Sequence, residues 1–318
     1  MDILKKEEKL HTLERELKTL DDETAIKTIK TQINDYKHQM MSSLTAWDKV
    51  LLARHTKRPN AREVIDAVFD DFMELKGDRL YGDDAAIIGG IAFYKGRPIT
   101  VIGQQKGKTT QENIDTNFAM PHPEGYRKAL RLMRQAEKFN RPIITLIDTP
   151  GAFPGIGAES RGQSNAISEN LFAMSDLEVP IIALVIGEGG SGGALAIGVA
   201  NEVHMLEHSV YSILSPEGYA SILWKDASKA QEAAEVMKIT AEDLKEFGII
   251  EGIISEPLGG AHRDFNNTIS AIDERLKHVL ERFNNKSVQA IKNERYEKFR
   301  AIGFFQRFNY ENLQGVIK

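Results

Sequence analysis

The segment Gly187-Glu-Gly-Gly-Ser-Gly-Gly193 lies between an apolar run, Pro180 to Ile186, and a stretch of small residues, Ala194 to Ala200. Glycines at a strand-to-helix junction let a ligand approach the main chain closely. The first amides of the helix lack intrahelical acceptors and can face an oxyanion. Tight packing of helix on sheet would also use glycine there. The same residues, Gly189-Gly190-Ser191-Gly192-Gly193, satisfy the G-x-S-x-G spacing of a serine nucleophile on an elbow turn. Ser191 would then draw on His204, His208 or His262 with Asp226 or Asp243, none of which sits in a recognisable motif of its own. On the residues alone both chemistries stay open.

A second turn, Thr149-Pro-Gly-Ala-Phe-Pro-Gly-Ile-Gly157, follows the apolar run Ile143 to Ile147. Its prolines and glycines cannot continue a strand, so it is a loop at a strand's C-terminal end, where α/β proteins bind ligands. Asp148, at the end of the strand, reads as a capping residue, with ligand positioning as the alternative. Gly103-Gln-Gln-Lys-Gly107-Lys108-Thr109 has three residues between its glycines where a phosphate-binding loop needs four, so no nucleotide site is expected. Lys106 and Lys108 read as solvated lysines. Glu159, Arg161 and Gln163 begin the next helix, with Arg161 in an intrachain ion pair.

Periodicity places the elements around these turns. Leu10, Leu13, Leu17 and Leu20, then Ile26, Ile29, Ile33, Tyr36 and Met40, recur at steps of three and four and break phase at Asp21 to Thr24, which predicts a helical hairpin. From about residue 85 short β-branched runs alternate with helical stretches, as in βαβ-type units, and the core is expected to begin there. Ala85–Tyr94 and Pro98–Gln105 flank a Lys-Gly-Arg turn and read as a hairpin. Helices are expected over Tyr126–Ala136, Ala166–Met174, Ala194–Ala200, Ala230–Met237 and Ala241–Phe247. Further strands are expected over Ile143–Ile147, Pro180–Ile186, within Val203–Leu214, and over Ile249–Ile254. Residues beyond about 265 read as polar, helical and peripheral.

Composition excludes several classes. The 318 residues carry 46 acidic against 41 basic side chains without long runs of either sign, so no nucleic-acid footprint stands out. There is no cysteine, which removes disulfides, thiolate zinc sites and a cysteine nucleophile. His204 and His208 are four apart, but in a β-rich stretch, and no metal is assigned. A charged N-terminus and the lack of any apolar run near 18 residues point to a cytoplasmic protein with no membrane partner.

Six ordered segments carry a resemblance: Gly103-Gln-Gln-Lys-Gly, Pro123-Glu-Gly-Tyr-Arg-Lys-Ala-Leu-Arg-Leu-Met, Asp148-Thr-Pro-Gly-Ala-Phe-Pro-Gly, Gly187-Glu-Gly-Gly-Ser-Gly-Gly-Ala-Leu-Ala-Ile-Gly, Ser215-Pro-Glu-Gly and Glu256-Pro-Leu-Gly-Gly-Ala-His-Arg. With Trp47 and Leu52-Ala-Arg-His, they make residues 47 to 263 resemble the alpha subunits of acetyl-CoA carboxylase carboxyltransferases. The first 45 residues match less well, lacking the aromatic-Glu-Lys-Pro type of start.

The resemblance implies a ClpP/crotonase-type α/β fold of repeated ββα units: a helical hairpin for subunit docking over 1–55, a carboxyltransferase core over 56–264 and a C-terminal helical extension over 265–318. It implies that carboxybiotin, carried on a separate biotin carboxyl carrier protein, gives its carboxyl group to acetyl-CoA, making malonyl-CoA for fatty acid biosynthesis. Amides of Gly192 and Gly193 would hold the ureido oxyanion, Gly189, Gly190 and Ser191 would shape the turn, and Gly151, Ala152 and Phe153 would line the biotin pocket. The biotin enolate would then act as base on the acetyl methyl group, so no side-chain acid or base is needed. The implied partners are a zinc-bearing beta subunit in an α2β2 assembly and biotin carboxylase in the ATP-dependent holoenzyme. The alternative is a crotonase-fold thioesterase or serine hydrolase using Ser191.

Overall fold

The computed structural model describes residues 3–303. Helices α1 (Ile3–Leu17) and α2 (Glu23–Met41) form the expected hairpin, and Asp22 caps α2 by accepting the Ala25 amide. Leu10, Ile29, Ile33 and Met40 bury against one another and against Leu52 of α3 (Ala46–Ala53), so the apolar stripe packs within this chain.

The core begins earlier than residue 85. Helix α4 (Ala61–Val68) places Val64 and Ile65 fully inside, and strand β1 (Asp70–Glu74) follows it. β1 is a polar edge strand, mostly exposed, so it lacks the apolar alternation by which a strand is recognised. Strands β2 (Ile87–Tyr94) and β3 (Arg97–Gln104) pair antiparallel, with Tyr94 opposite Arg97. Lys95 and Gly96 turn between them at φ of 49° and 78°, the doubly positive conformation of a type I′ hairpin.

The chain then runs through α5 (Thr110–Asp115), α6 (Pro123–Lys138), β4 (Ile143–Thr149), α7 (Ile156–Ser160), α8 (Gln163–Asp176), β5 (Ile181–Gly190) and α9 (Ser191–Leu195). It continues with β6 (Glu202–Leu206), β7 (Val210–Ser212), α10 (Pro216–Tyr219), α11 (Ala230–Met237), α12 (Ala241–Glu246), β8 (Gly252–Ile254), α13 (Phe265–Phe283) and α14 (Val288–Ala301). One sheet orders these strands β1-β2-β3-β4-β5-β6-β8, with β7 beside the far end of β5 and parallel pairing from β3 onward. Every residue of β4 and β5 is buried, as parallel strands covered on both faces must be. Ile144, Leu146, Ile182 and Leu184 point into a core roofed by α4 and α13, and Ile143, Ile147, Ile181 and Val185 into one roofed by α6. The α/β sheet crossed by helices is the architecture expected.

Two other expectations are corrected. Residues beyond 265 are not peripheral: Ile272, Leu276, Val279, Leu280 and Phe283 of α13 bury into the first core, and Arg295 of α14 satisfies the carbonyls of Met174, Leu177 and Val179. The helix expected over Ala194–Ala200 spans Ser191–Leu195 and then loosens into turns. Residues 304–318 of the C-terminal extension lie outside the described residues. Among the described residues no helix is long and apolar enough to cross a membrane.

Glu7 of α1 clasps the hairpin to the core through His262 Nε2 at 2.7 Å, with His55 stacked on His262 at 3.9 Å between ring centroids. Sequence spacing gave no hint of this cluster, because its members are 255 and 48 positions from Glu7. Burial pushes His55 down to about 4, and the adjacent His262 and Arg263 charges add to that effect against the pull of Glu7. The hydrogen-bonded, stacked arrangement ties α1 to the core.

Candidate active site

The glycine turns at the ends of β4 and β5 press together backbone on backbone. A Cβ on Gly190 would lie 2.1 Å from the Pro150 carbonyl oxygen, and one on Gly193 2.5 Å from the Gly151 carbonyl carbon and 2.6 Å from the Ala152 nitrogen. Only glycine permits that approach. Gly192 differs, since a Cβ there would find Ile167 at 3.8 Å as its nearest neighbour and otherwise open space. Among the described residues the Gly192 and Gly193 amides donate to no backbone carbonyl. Both residues line a cleft of about 590 Å³ with Pro150, Gly151, Ala152, Ile167, Ile213, Leu214, Ser215, Glu217 and Arg54.

Beneath the turn, buried polar groups fix its shape. Gln104 is fully buried, donates from Nε2 to the Gly193 carbonyl at 2.7 Å and accepts the Asp148 amide at 3.2 Å, tying β3, β4 and α9 together. Asp148 is not a cap: it accepts the Glu188 amide at 3.0 Å and Lys106 Nζ at 2.8 Å. Lys106 is therefore held at the turn rather than solvated. Thr149 Oγ1 donates to the Gly151 carbonyl and accepts its amide, holding the second loop. Gln104→Ala is expected to orphan two buried groups and to lower stability by about 1–3 kcal/mol for each, read as a shifted urea midpoint at unchanged slope.

Ser191 stands exposed at the first position of α9 with φ of 54°, a strained conformation for a non-glycine residue. Gly190 holds the N-cap position, and the Ser191 side chain makes no cap hydrogen bond. The histidines that a hydrolase would need are engaged elsewhere. His204 bonds Glu202 at 2.7 Å, His262 bonds Glu7, and His208 lies buried beside Glu256. Asp226 and Asp243 cap local turns at Ser228 and Thr240. Among the described residues no imidazole reaches Ser191.

Phe153 does not line the cleft with Gly151 and Ala152; it stacks on His122 at 4.1 Å, its amide bonded to the Pro121 carbonyl. Gly189 packs under Tyr211, whose hydroxyl burial pushes up to about 12. Arg161 pairs with Glu124, the intrachain ion pair expected. Lys108 pairs with Glu63 at 2.5 Å.

The cleft's third wall was missed in the sequence. Arg54, at the end of α3, donates Nε and Nη2 to Glu188 Oε1 at 3.0 and 2.7 Å and Nη1 to Glu217 Oε1 at 2.6 Å. Burial alone would lower the Arg54 pKa, and the two carboxylates outweigh it and raise it. Glu217 is lowered in return, its burial outweighed by Arg54. Leu52-Ala-Arg-His and Ser215-Pro-Glu-Gly were visible as segments, but 163 positions separate Arg54 from Glu217 and only the fold joins them. A second, apolar cleft of about 730 Å³ adjoins the first at Ser191, Gly192, Ile213 and Leu214.

A mixed sheet whose central parallel strands end in two interlocked glycine turns over an amide-lined cleft defines an α/β protein of the ClpP/crotonase type. The match with solved structures agrees. The transcarboxylase 12S core, solved with methylmalonyl-coenzyme A and methylmalonic acid bound, superposes at a TM-score of 0.60 and 19% identity over 72% of this chain and 42% of that one, so this chain spans less than half of that protein. A Pseudomonas malonate decarboxylase hetero-dimer superposes at 0.54 and 14% identity, over 75% of this chain and 91% of that one. A family described as acetyl co-enzyme A carboxylase carboxyltransferase-like matches residues 1–303. The chain is 54% identical over 308 residues to the acetyl-coenzyme A carboxylase carboxyl transferase subunit alpha of Halalkalibacterium halodurans, covering 97% of this chain and 94% of that protein. It is 60% identical over 262 residues to that of Clostridium acetobutylicum, covering 82% and 96%. The chain belongs to the acetyl-coenzyme A carboxylase carboxyltransferase family, on its alpha-subunit side.

Proposed function

We propose that this chain binds carboxybiotin, presented by a separate carrier protein, and holds it for transfer of its carboxyl group to acetyl-CoA on a beta subunit, giving malonyl-CoA. The observation that carries this reading is the pair of amides at Gly192 and Gly193, which among the described residues donate to no backbone carbonyl, with Gly193 packed on the Gly151–Ala152 backbone. The cleft fits a flat cyclic urea: amide donors on its floor, no Cβ above Gly192, and apolar flanks at Ala152, Ile167, Ile213 and Leu214. Such a group, when bound, brings the carboxyl to be transferred and develops negative charge on its ureido oxygen as that carboxyl leaves.

The amides of Gly192 and Gly193 meet that charge with fixed dipoles. α9 has only five residues, so the donors themselves matter more than a helix dipole. Gln104, Asp148 and Lys106 hold the donors from below, so little reorganisation accompanies the reaction. Gly189, Gly190 and Ser191 shape the turn, and Gly151 and Ala152 form the facing wall.

The alpha-subunit relationship implies a carboxyltransferase partner. We further propose a zinc-bearing beta subunit in an α2β2 complex, biotin carboxylase in the complete enzyme, and a cytoplasmic setting. The hairpin of residues 1–55 is proposed to dock on the partner through its outer polar faces, residues 56–264 to form the transferase core and 265–318 its helical extension.

The test is malonyl-CoA decarboxylation with transfer onto free biotin, measured with this chain alone and with purified beta subunit. Activity is expected only in the mixture. Ser191→Ala is expected to retain most of that transfer, and a fluorophosphonate probe to leave Ser191 unlabelled. Labelling of Ser191 together with an inactive intact mixture would return the serine hydrolase reading.

A further inference from the structure

Arg54 and Glu217 line the charged edge of the cleft, Glu188 backs Arg54 from the end of β5, and the two carboxylates are unequal. Glu188 keeps 9% of its side-chain surface and sits at the end of β5, its amide bonded to Asp148. Glu217 keeps 39% and stands on α10, a helix of four residues at the mouth of the cleft. Releasing Glu188 from Arg54 would leave a buried carboxylate without a counter-charge, a strongly unfavourable state. Releasing Glu217, which is only half-buried at the mouth of the cleft, returns its carboxylate to water, a smaller cost than stranding Glu188.

The guanidinium geometry matches this inequality. Nε and Nη2 both converge on Glu188 Oε1, while Nη1, the remaining end of the fork, makes the short contact to Glu217. Nη2 reaches Glu217 again only at 3.4 Å. One edge of Arg54 is thus anchored to the strand that carries the glycine turn, and the other holds an exchangeable carboxylate over the cleft that Gly192 and Gly193 floor.

We propose that Arg54 is a carboxylate-binding residue of the transfer site: its guanidinium stays anchored to Glu188 and exchanges Glu217 for the carboxylate of an N-carboxylated cyclic urea. This rests on the carboxybiotin reading above and adds a recognition element to it. The amides hold the ureido oxygen, and Arg54 holds the carboxyl group next to it. Glu217 keeps the guanidinium paired while the cleft is empty and competes with the incoming anion. Arg suits the task because its planar fork bridges two carboxylates at once, which a lysine ammonium cannot do with the same geometry.

The test uses the assembled complex of this chain with its carboxyltransferase partner and two stable probes titrated by calorimetry. One is 2-oxoimidazolidine-4-carboxylate, a cyclic urea bearing a carboxylate; the other is 2-imidazolidinone, the same ring without it. Wild type is expected to bind the carboxylate probe at least about tenfold more tightly. Arg54→Met is expected to bring the two affinities within about twofold, and Glu217→Gln to widen the gap by about threefold or more. Arg54→Lys keeps a charge beside Glu188; it is expected to melt with the wild type and lose most of the preference, and it decides the matter if Arg54→Met does not fold. A preference that survives Arg54→Lys, that is absent from wild type, or that Glu217→Gln fails to widen overturns the proposal. A wild-type complex that transfers carboxyl groups onto biotin yet shows no carboxylate preference sinks the Arg54 assignment alone. A complex inactive toward malonyl-CoA and biotin sinks the reading beneath it.

Discussion

A Gly192→Val variant is expected to lose at least about a hundredfold in carboxyl transfer while keeping its melting temperature and its complex with the partner subunit. The space around Gly192 sets this outcome. Its Cβ would meet nothing nearer than Ile167 at 3.8 Å, so the fold tolerates a side chain there. The branched methyls of valine would instead stand in the cleft over the amides, where the ureido ring must lie. Gly193→Ala is the contrasting case, because its single added methyl would lie 2.5 Å from the Gly151 carbonyl carbon and 2.6 Å from the Ala152 nitrogen. Backbone cannot swing aside as a side chain can, so that variant is expected to lose transfer and also about 1–3 kcal/mol of stability. Decarboxylation rates beside urea denaturation curves separate the two. Gly192→Val with undiminished transfer would show that the amides do not hold the oxyanion.

That contrast marks where sequence reading reaches its limit. Glycine at both positions was visible, together with a strand before them and a second glycine-proline turn at residues 149–157. Which glycine packs and which opens onto the cleft depends on how two loops 40 residues apart meet, and the spacing along the chain carries no such information. β4 and β5 were legible because strands buried on both faces are continuous apolar runs. β1 was not, being polar and at the sheet edge. α13 was read as peripheral because 19 residues with many charges average to a polar segment, although one face of the helix enters the core. Asp148 and Lys106 were read from local context, as a cap and a solvated lysine, and their true partners are each other across 42 positions. Arg54 stood in a visible segment, but nothing local marked its charged partners, 134 and 163 positions away. The fold was legible through short-range periodicity, and the charged half of the site was hidden because ion pairs obey no period.

Arg58→Met is expected to destabilise the chain by about 3–5 kcal/mol near neutral pH, the largest stability loss anticipated for a single substitution here. The side chains of Arg58 and Glu256 keep 2% and 0% of their surfaces. Arg58 Nε donates to the Ile186 carbonyl at 2.6 Å, immediately before the glycine turn, while Nη1 and Nη2 hold the Glu256 carboxylate. Glu256 also accepts the amides of His208 at 2.9 Å and Ala261 at 2.7 Å, so it cannot leave with its partner. Burial pushes the Glu256 pKa up, and Arg58 more than offsets this, leaving it below its ordinary value of 4.5. A lowered folded-state pKa means that the carboxylate's contribution is complete above 4.5 and is lost as pH falls through the lowered value. In Arg58→Met the sign reverses: without Arg58, burial outweighs the amide bonds and raises the Glu256 pKa, the folded chain binds the extra proton, and stability falls as pH rises through that raised value. The deficit of the variant should therefore be widest near pH 7 and shrink toward pH 5, measured as the difference in urea-unfolding free energy from wild type. Glu256→Gln in the Arg58→Met background removes the charge and should recover part of the loss at pH 7 while flattening its pH dependence. A deficit that stays constant from pH 7 to pH 5 would mean that lost packing of the arginine, and not the stranded carboxylate, causes it.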